Sequence, residues 1–109
     1  MTLRDIPFCT TDWSKVEPTV HPGASGEALW RTAVFGEVRV RMVQYSPGYL
    51  ADHWCHKGHV LLVLEGELVT ELKDGRVFRL AAGTSYQVED DGEPHRSSSP
   101  KGARLFVVD

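Results

Sequence analysis

At 109 residues the chain has the usual length of one domain and can bury a working core without a disulfide or metal staple. Its 41% hydrophobic and 25% charged residues, with Gly 10 and Pro 6, describe a compact soluble domain rich in turns. The formal net charge of -3, with twelve scattered Lys and Arg, leaves no basic stripe to follow a phosphate backbone, so no nucleic-acid partner is expected.

Two cysteines, Cys9 and Cys55, cannot build a disulfide framework. The start MTLRDIPFCTTDW carries Arg4 and Asp5 where a secretory signal needs an apolar run, which gives the expectation of a cytoplasmic protein with reduced thiols. The longest apolar stretch, Val60 to Leu64, stops at Glu65, far short of the roughly 20 residues of a membrane helix, and no membrane partner is expected.

In chain order, residues 1–28, with Pro7, Pro18, Pro22 and Gly26, read as an N-terminal arm with room for one short strand. Residues 29–109 read as the barrel domain. Strands are expected near 29–35, 37–46, 49–56, 59–65, 67–73, 76–80, 84–89, 94–98 and 103–108, because apolar residues recur at period two and no stretch carries a helical stripe. Turn signals separate them: SPG at 46–48, EGE at 65–67, KDGR at 73–76, AAG at 81–83, DDGEP at 90–94 and SPKG at 99–102. Asp74-Gly75 is the strongest, as a two-residue hairpin turn requires positive φ. Many short strands at near-regular spacing predict an all-β, antiparallel sandwich or barrel.

Val38, Val40 and Met42 alternate with Arg39 and Arg41, so an inward apolar face makes the two arginines a solvated face; the opposite register would carry an arginine into the barrel. VLLVLE at 60–65 is apolar on both faces. One face lines the core. The other needs either the N-terminal arm or a second subunit, as in a homodimer pairing sheet to sheet.

DHWCHKGH, residues 52–59, packs three of the five histidines and one of the two cysteines into eight positions. Neutral imidazoles and a thiolate suit a divalent transition metal (Fe, Zn, Ni, Mn or Cu), provided that the donor atoms converge. A straight strand would hold His53 and His59 roughly 20 Å apart. The chain must therefore turn between them, and Lys57-Gly58 is the place for it. His53 and Cys55 then share one face and His59 returns toward them, while His56 points away unless a bulge flips it. His95 begins a strand about 40 residues on that can lie beside the first.

The stretches PGYLADHWCHKGHVLLVLEGEL and DGRVFRLAAGTSYQVEDDGEPHRSSS resemble the two motifs of the cupin superfamily, small jelly-roll barrels with a metal at the mouth. The motifs lie at 48–66 and 83–99. The first reads Gly, five residues, His, one residue, His, three or four residues, Glu, six residues, Gly. Counting back from Gly66 places His59 where the family usually has Glu, Cys55 at the second-His position and His53 at the first; only four residues separate Gly48 from His53. In the second motif Gly83 and Gly92 are the glycines and His95 the fourth ligand; its spacing is one residue long, Pro is missing from its usual place, and Ser99 replaces the terminal Asn. The Asp-His-Trp-Cys run also resembles a subgroup of small single-domain cupins named for such a motif.

The resemblance implies a metal held by His53, Cys55, His59 and His95, with His56 as an alternate, and a small-molecule ligand. If Cys55 stays out, the three histidines resemble the triad of thiol dioxygenases; if all four bind, the site is closed. Candidate substrate contacts are Arg41, which would pair with a carboxylate if it faces inward, Tyr86 on the strand before His95, and Trp54 at the mouth. The expectation is a metal-dependent enzyme, dioxygenase-like or isomerase-like, acting on a small organic molecule; the alternatives are a metal- or ligand-binding sensor without turnover and a purely structural barrel.

Overall fold

The computed structural model describes residues 2–109. After a single 3-10 turn at Trp13–Lys15 come nine strands: β1 (Thr19–Pro22), β2 (Glu27–Phe35), β3 (Val38–Tyr45), β4 (Tyr49–Leu50), β5 (His59–Leu72), β6 (Val77–Ala81), β7 (Ser85–Val88), β8 (His95–Ser99) and β9 (Ala103–Val108). All pairings are antiparallel, in the order β1-β2-β3-β9-β5-β8-β4, with β6 and β7 also pairing to β5. Period-two patterning specified this all-β architecture, and β1 makes the later part of the arm an edge of the sheet.

The expected turn at Glu65–Glu67 does not form. β5 runs unbroken through Gly66, pairing with β7 and β9 in its first half and with β6 and β8 in its second, so this one strand turns the corner between the two layers. Its register slips between Val63 and Glu65. Gly66 makes the corner possible: its φ is 76°, and a Cβ there would lie 2.2 Å from the Gly102 carbonyl oxygen. The hairpin at Lys73-Asp74-Gly75-Arg76 does form, but Leu72 N–H donates to the Arg76 carbonyl, leaving three residues in the loop instead of two.

The core lies between the layers. Val43, Leu61, Val63, Leu105 and Val107 come from β3, β5 and β9, and Leu68, Leu80 and Tyr49 face them from the other side. The β3 register is the reverse of the face expected from its apolar residues. Arg41 pairs with Val107 and Val43 with Leu105, both core residues, so Arg39, Arg41, Val43 and Tyr45 share the inner face and Val40 and Met42 the outer. The apolar outer residues misled because that face is also covered. Leu3, Ile6, Cys9 and Trp13 of the arm form a groove against Phe35, Val38, Val40 and Val108. The arm stops short of the outer face of β5, where Val60 and Leu64 stay 48% and 38% exposed.

The expected strand at 49–56 shortens to β4. Beyond it the chain forms a loop anchored by one isolated bridge between Cys55 and His95. Gly58, expected to serve a sharp reversal, does not adopt a positive φ; its role is close approach, for a Cβ would sit 2.4 Å from the Asp90 nitrogen and 2.6 Å from the Glu89 carbonyl carbon. Gly58→Ala should therefore lower stability by about 1–3 kcal/mol, measured by urea unfolding, and should loosen the position of His59 next to it. A variant as stable as the parent would contradict this packing.

Candidate functional site

The loop after β4 delivers Cys55 to β8 by a reciprocal pair of backbone hydrogen bonds: Cys55 N–H to the His95 carbonyl at 2.7 Å, and His95 N–H to the Cys55 carbonyl at 3.1 Å. The chain then crosses the end of β7, where Asp91 N–H donates to the His56 carbonyl and Gly58 N–H to Asp90 Oδ1. It enters β5 at His59, opposite Val88. Donor atoms of Cys55, His59 and His95 thereby lie within 4.8 Å of one another. They share the wall of a cavity of about 260 Å³ with Trp30, Arg41 and Tyr86.

Hydrogen bonds fix the rings. His95, only 3% exposed, donates from Nδ1 to the Glu93 carbonyl at 2.9 Å, which directs Nε2 into the cluster. That Nε2 lies 3.1 Å from His59 Nε2, and Tyr86 Oη lies 2.9 Å from the same His59 atom. Two imidazole nitrogens this close need either one shared proton or one cation between them. His59 Nδ1 is buried without a hydrogen-bond partner and faces Asp109 Oδ2 at 3.7 Å, a charge contact too long for a hydrogen bond.

The charges follow from these positions. Burial, then the neighbouring His95, pushes His59 down to about 4, so its ring is neutral at pH 7. His95 is pushed up by its contact with the Cys55 thiol, and Cys55 is pulled below the ordinary thiol value chiefly by His95. His95 and the Cys55 thiol thus each favour the other's charged form. Burial pushes the Tyr86 phenol up, keeping it a protonated donor.

A second group of charges lines the same cavity. Asp109, with none of its side chain exposed, accepts from Arg39 Nε at 2.8 Å and Nη2 at 3.0 Å, and from Arg41 Nη2 at 3.0 Å. Burial raises the Asp109 carboxyl, but the hydrogen bond from Arg39 and the charges of both arginines outweigh it and hold it below the ordinary range. Arg41 is pushed down by burial and by Arg39 beside it.

The expected site residues divide by position. Cys55, His59 and His95 converge. His53 also lines the cavity, but its ring is exposed and its Nδ1 pairs with Asp52 Oδ1 at 2.7 Å. His56 is exposed and contributes its backbone carbonyl. Tyr86 and Arg41 are on the wall, Arg41 with its guanidinium carbon 4.4 Å from the centre of the Trp30 ring. Trp54 lies beneath Arg96 and Lys73, at 4.7 and 5.6 Å, instead of on that wall. Sequence reasoning missed Asp109. The signal was available, because Leu105, Val107 and Asp109 alternate on one face and the first two are core.

The donor set fits a divalent transition metal. Two imidazole nitrogens each about 2.0–2.1 Å from a tetrahedral ion stand about 3.3 Å apart, and the pair here is 3.1 Å apart with a thiol alongside. With His59 Nε2 toward the ion, its orphaned Nδ1 would face the Asp109 carboxylate, the usual second partner of a ligating histidine.

The depressed His59 value carries a sign. Its folded pKa lies below its unfolded one, so its neutral ring favours the folded state above pH 6.5, and that contribution is lost as pH falls from about 6.5 toward about 4. The stability advantage of the metal-free parent over His59→Phe should therefore shrink across this window, by no more than about 3 kcal/mol, in urea unfolding at pH 7 and pH 4.5. An unchanged difference would contradict a neutral, buried His59.

No protein-family model matches the sequence, and no curated protein matches it. Solved structures do. A predicted oxalate decarboxylase from Thermotoga maritima is 18% identical over 92% of this chain and 96% of that one, with a TM-score of 0.77. The polyketide cyclase RemF from Streptomyces resistomycificus is 23% identical over 94% and 78%, at 0.76, and an RmlC-like cupin from Shewanella frigidimarina is 20% identical over 95% and 91%, at 0.69. Likeness at these identities speaks for architecture and not for chemistry. The chain has the cupin jelly-roll fold.

Proposed function

We propose that the chain is a small metal-dependent cupin enzyme, of the kind with an Asp-His-Trp-Cys run, that converts a small organic molecule in the barrel cavity. The observation that carries this reading is the convergence of Cys55, His59 and His95 on the wall of one cavity. A thiolate and two imidazoles suit Zn, Cu or ferrous iron, and Ni or Mn is less well matched. His53, on the same wall, is the fourth donor within the loop, and its rotation away from Asp52 would decide between an open and a closed site. A bound ion would supply Lewis acidity or redox chemistry.

The chain's own groups have defined tasks. Asp109 faces His59 Nδ1 and so turns Nε2 toward the ligand, and Glu93 does the same for His95 through its carbonyl. Tyr86 presents a protonated hydroxyl beside His59 Nε2 and can donate to a substrate oxygen as negative charge develops there. Val43, Leu61 and Val107 make the wall dry, which strengthens each of these interactions. Among the described residues no helix is long and apolar enough to cross a membrane, and both thiols are free, in keeping with a reducing, cytoplasmic setting. The exposed Val60 and Leu64 support pairing of two barrels through the outer face of β5.

Elemental analysis of untagged protein should find about one transition metal per chain. His59→Ala and His95→Ala should each abolish tight binding, whereas His21→Ala should leave it intact. The cobalt-loaded parent should show an intense near-ultraviolet thiolate band that Cys55→Ser removes. Metal well below one per chain, or equal loss in His21→Ala, would overturn the assignment. Turnover of thiols, small acids or sugars by the loaded protein is expected; full loading without turnover across such a panel would make it a binding or sensor protein instead.

A further inference from the structure

A cationic subsite lies beside the metal ligands, where Arg41 Nη2 and His59 Nδ1 both face Asp109 Oδ2. Arg39 and Arg41 both face the side-chain carboxylate of Asp109. Arg41 is only 7% exposed, and its Nε is buried with no hydrogen-bond partner. Its other contacts are fixed: Nη2 on Asp109, and the guanidinium face on Trp30, whose ring is itself stacked on His21 at 3.7 Å with 22° between planes. A buried donor without an acceptor is unfavourable unless a ligand supplies one. A guanidinium edge is matched in shape and charge to an oxyanion.

The rest of the wall limits what carries that oxyanion. Tyr45 and Tyr49 stack at 4.2 Å, 11° from parallel, beside Val43 and Leu61, which offers a flat apolar surface. A cavity of about 260 Å³ admits a small molecule and not a nucleotide-sized one. One unpartnered guanidinium edge matches one carboxylate.

We infer that Arg41 anchors the carboxylate of a small monocarboxylic acid, whose apolar or planar body lies along Tyr45 and Tyr49 and whose reacting end faces Cys55, His59 and His95. This rests on reading the cavity as a small-molecule site. Arg41 is a binding residue for the end of the substrate that does not react, and it sets the distance at which the other end meets the ligands.

The test uses benzoate, its neutral isostere benzamide and inorganic phosphate as probes, titrated calorimetrically into untagged protein with and without zinc. Benzoate should bind about tenfold or more tighter than benzamide, and tighter than phosphate, in both preparations. It should also shift the Arg41 Nε–H resonance. Arg41→Lys keeps the charge and removes that N–H; it should lose about tenfold in benzoate affinity with benzamide unchanged and zinc stoichiometry as in the parent. Equal binding of benzoate and benzamide, preference for phosphate, or parent-like benzoate affinity in a folded Arg41→Lys would overturn the subsite. If Arg41→Lys fails to fold, the Arg41 Nε–H resonance of the parent decides: no shift with benzoate overturns it. Benzoate selectivity in a chain that takes up no zinc would leave the subsite standing and remove the metal reading; zinc uptake without selectivity would do the reverse.

Discussion

The carboxylate side chain of Asp109 is closed to water, and two guanidiniums and one imidazole are arranged around it. Taking these ions out of water costs more than their attraction alone returns, so such a cluster is weak evidence for stability and better evidence for a cavity that needs fixed charge. It sets the register of β3, since Arg39 and Arg41 can reach Asp109 only from the inner face. That register sends Val40 and Met42 outward, and the outer face in turn requires cover, which Leu3, Ile6 and Trp13 of the arm provide over Val40 and Val108. A polar contact inside the barrel thus explains why Leu3, Ile6, Cys9 and Trp13 lie along its outside.

The same carboxylate links the two halves of the cavity. On one side it faces the orphaned nitrogen of His59, which leaves Nε2 to meet His95. On the other it holds one end of Arg41 and leaves Nε free. Backbone geometry does the remaining work. The bridge from Cys55 to His95 joins the loop after β4 to the start of β8, and the passage of β5 around Gly66 ties the layer carrying His59 to the layer carrying His95. The three donors therefore sit on separate segments fixed by main-chain bonds, a more rigid arrangement than neighbouring residues on one loop would give.

Period two and the Gly-rich turns made the all-β barrel legible, and the motif spacings singled out His53, Cys55, His59 and His95, of which the fold brings the last three together. What could not be read was which face of a strand goes inward when both are covered. Val38 and Val40 lie against the arm, so the alternation in VRVRM pointed to the wrong face, and Arg41 was read first as solvated. The EGE stretch carries a turn signal, yet Gly66 bends a continuous strand, because composition does not separate a hairpin from a corner. Trp54 has the same aromatic character as Trp30; only tertiary packing puts one on the cavity wall and the other under Arg96. Asp109 is a single carboxylate, and its weight comes from the arginines it meets across the sheet.

The central claim is that two imidazoles, each with Nδ1 turned toward the protein, aim their Nε2 atoms at one point. Nitrogen-15 NMR of the imidazole rings during a zinc titration tests it most directly. His59 and His95 should shift at Nε2 together, saturating at about one zinc per chain, while both keep the proton on Nδ1. Ligation through Nδ1, or a shift of one ring without the other, would contradict it.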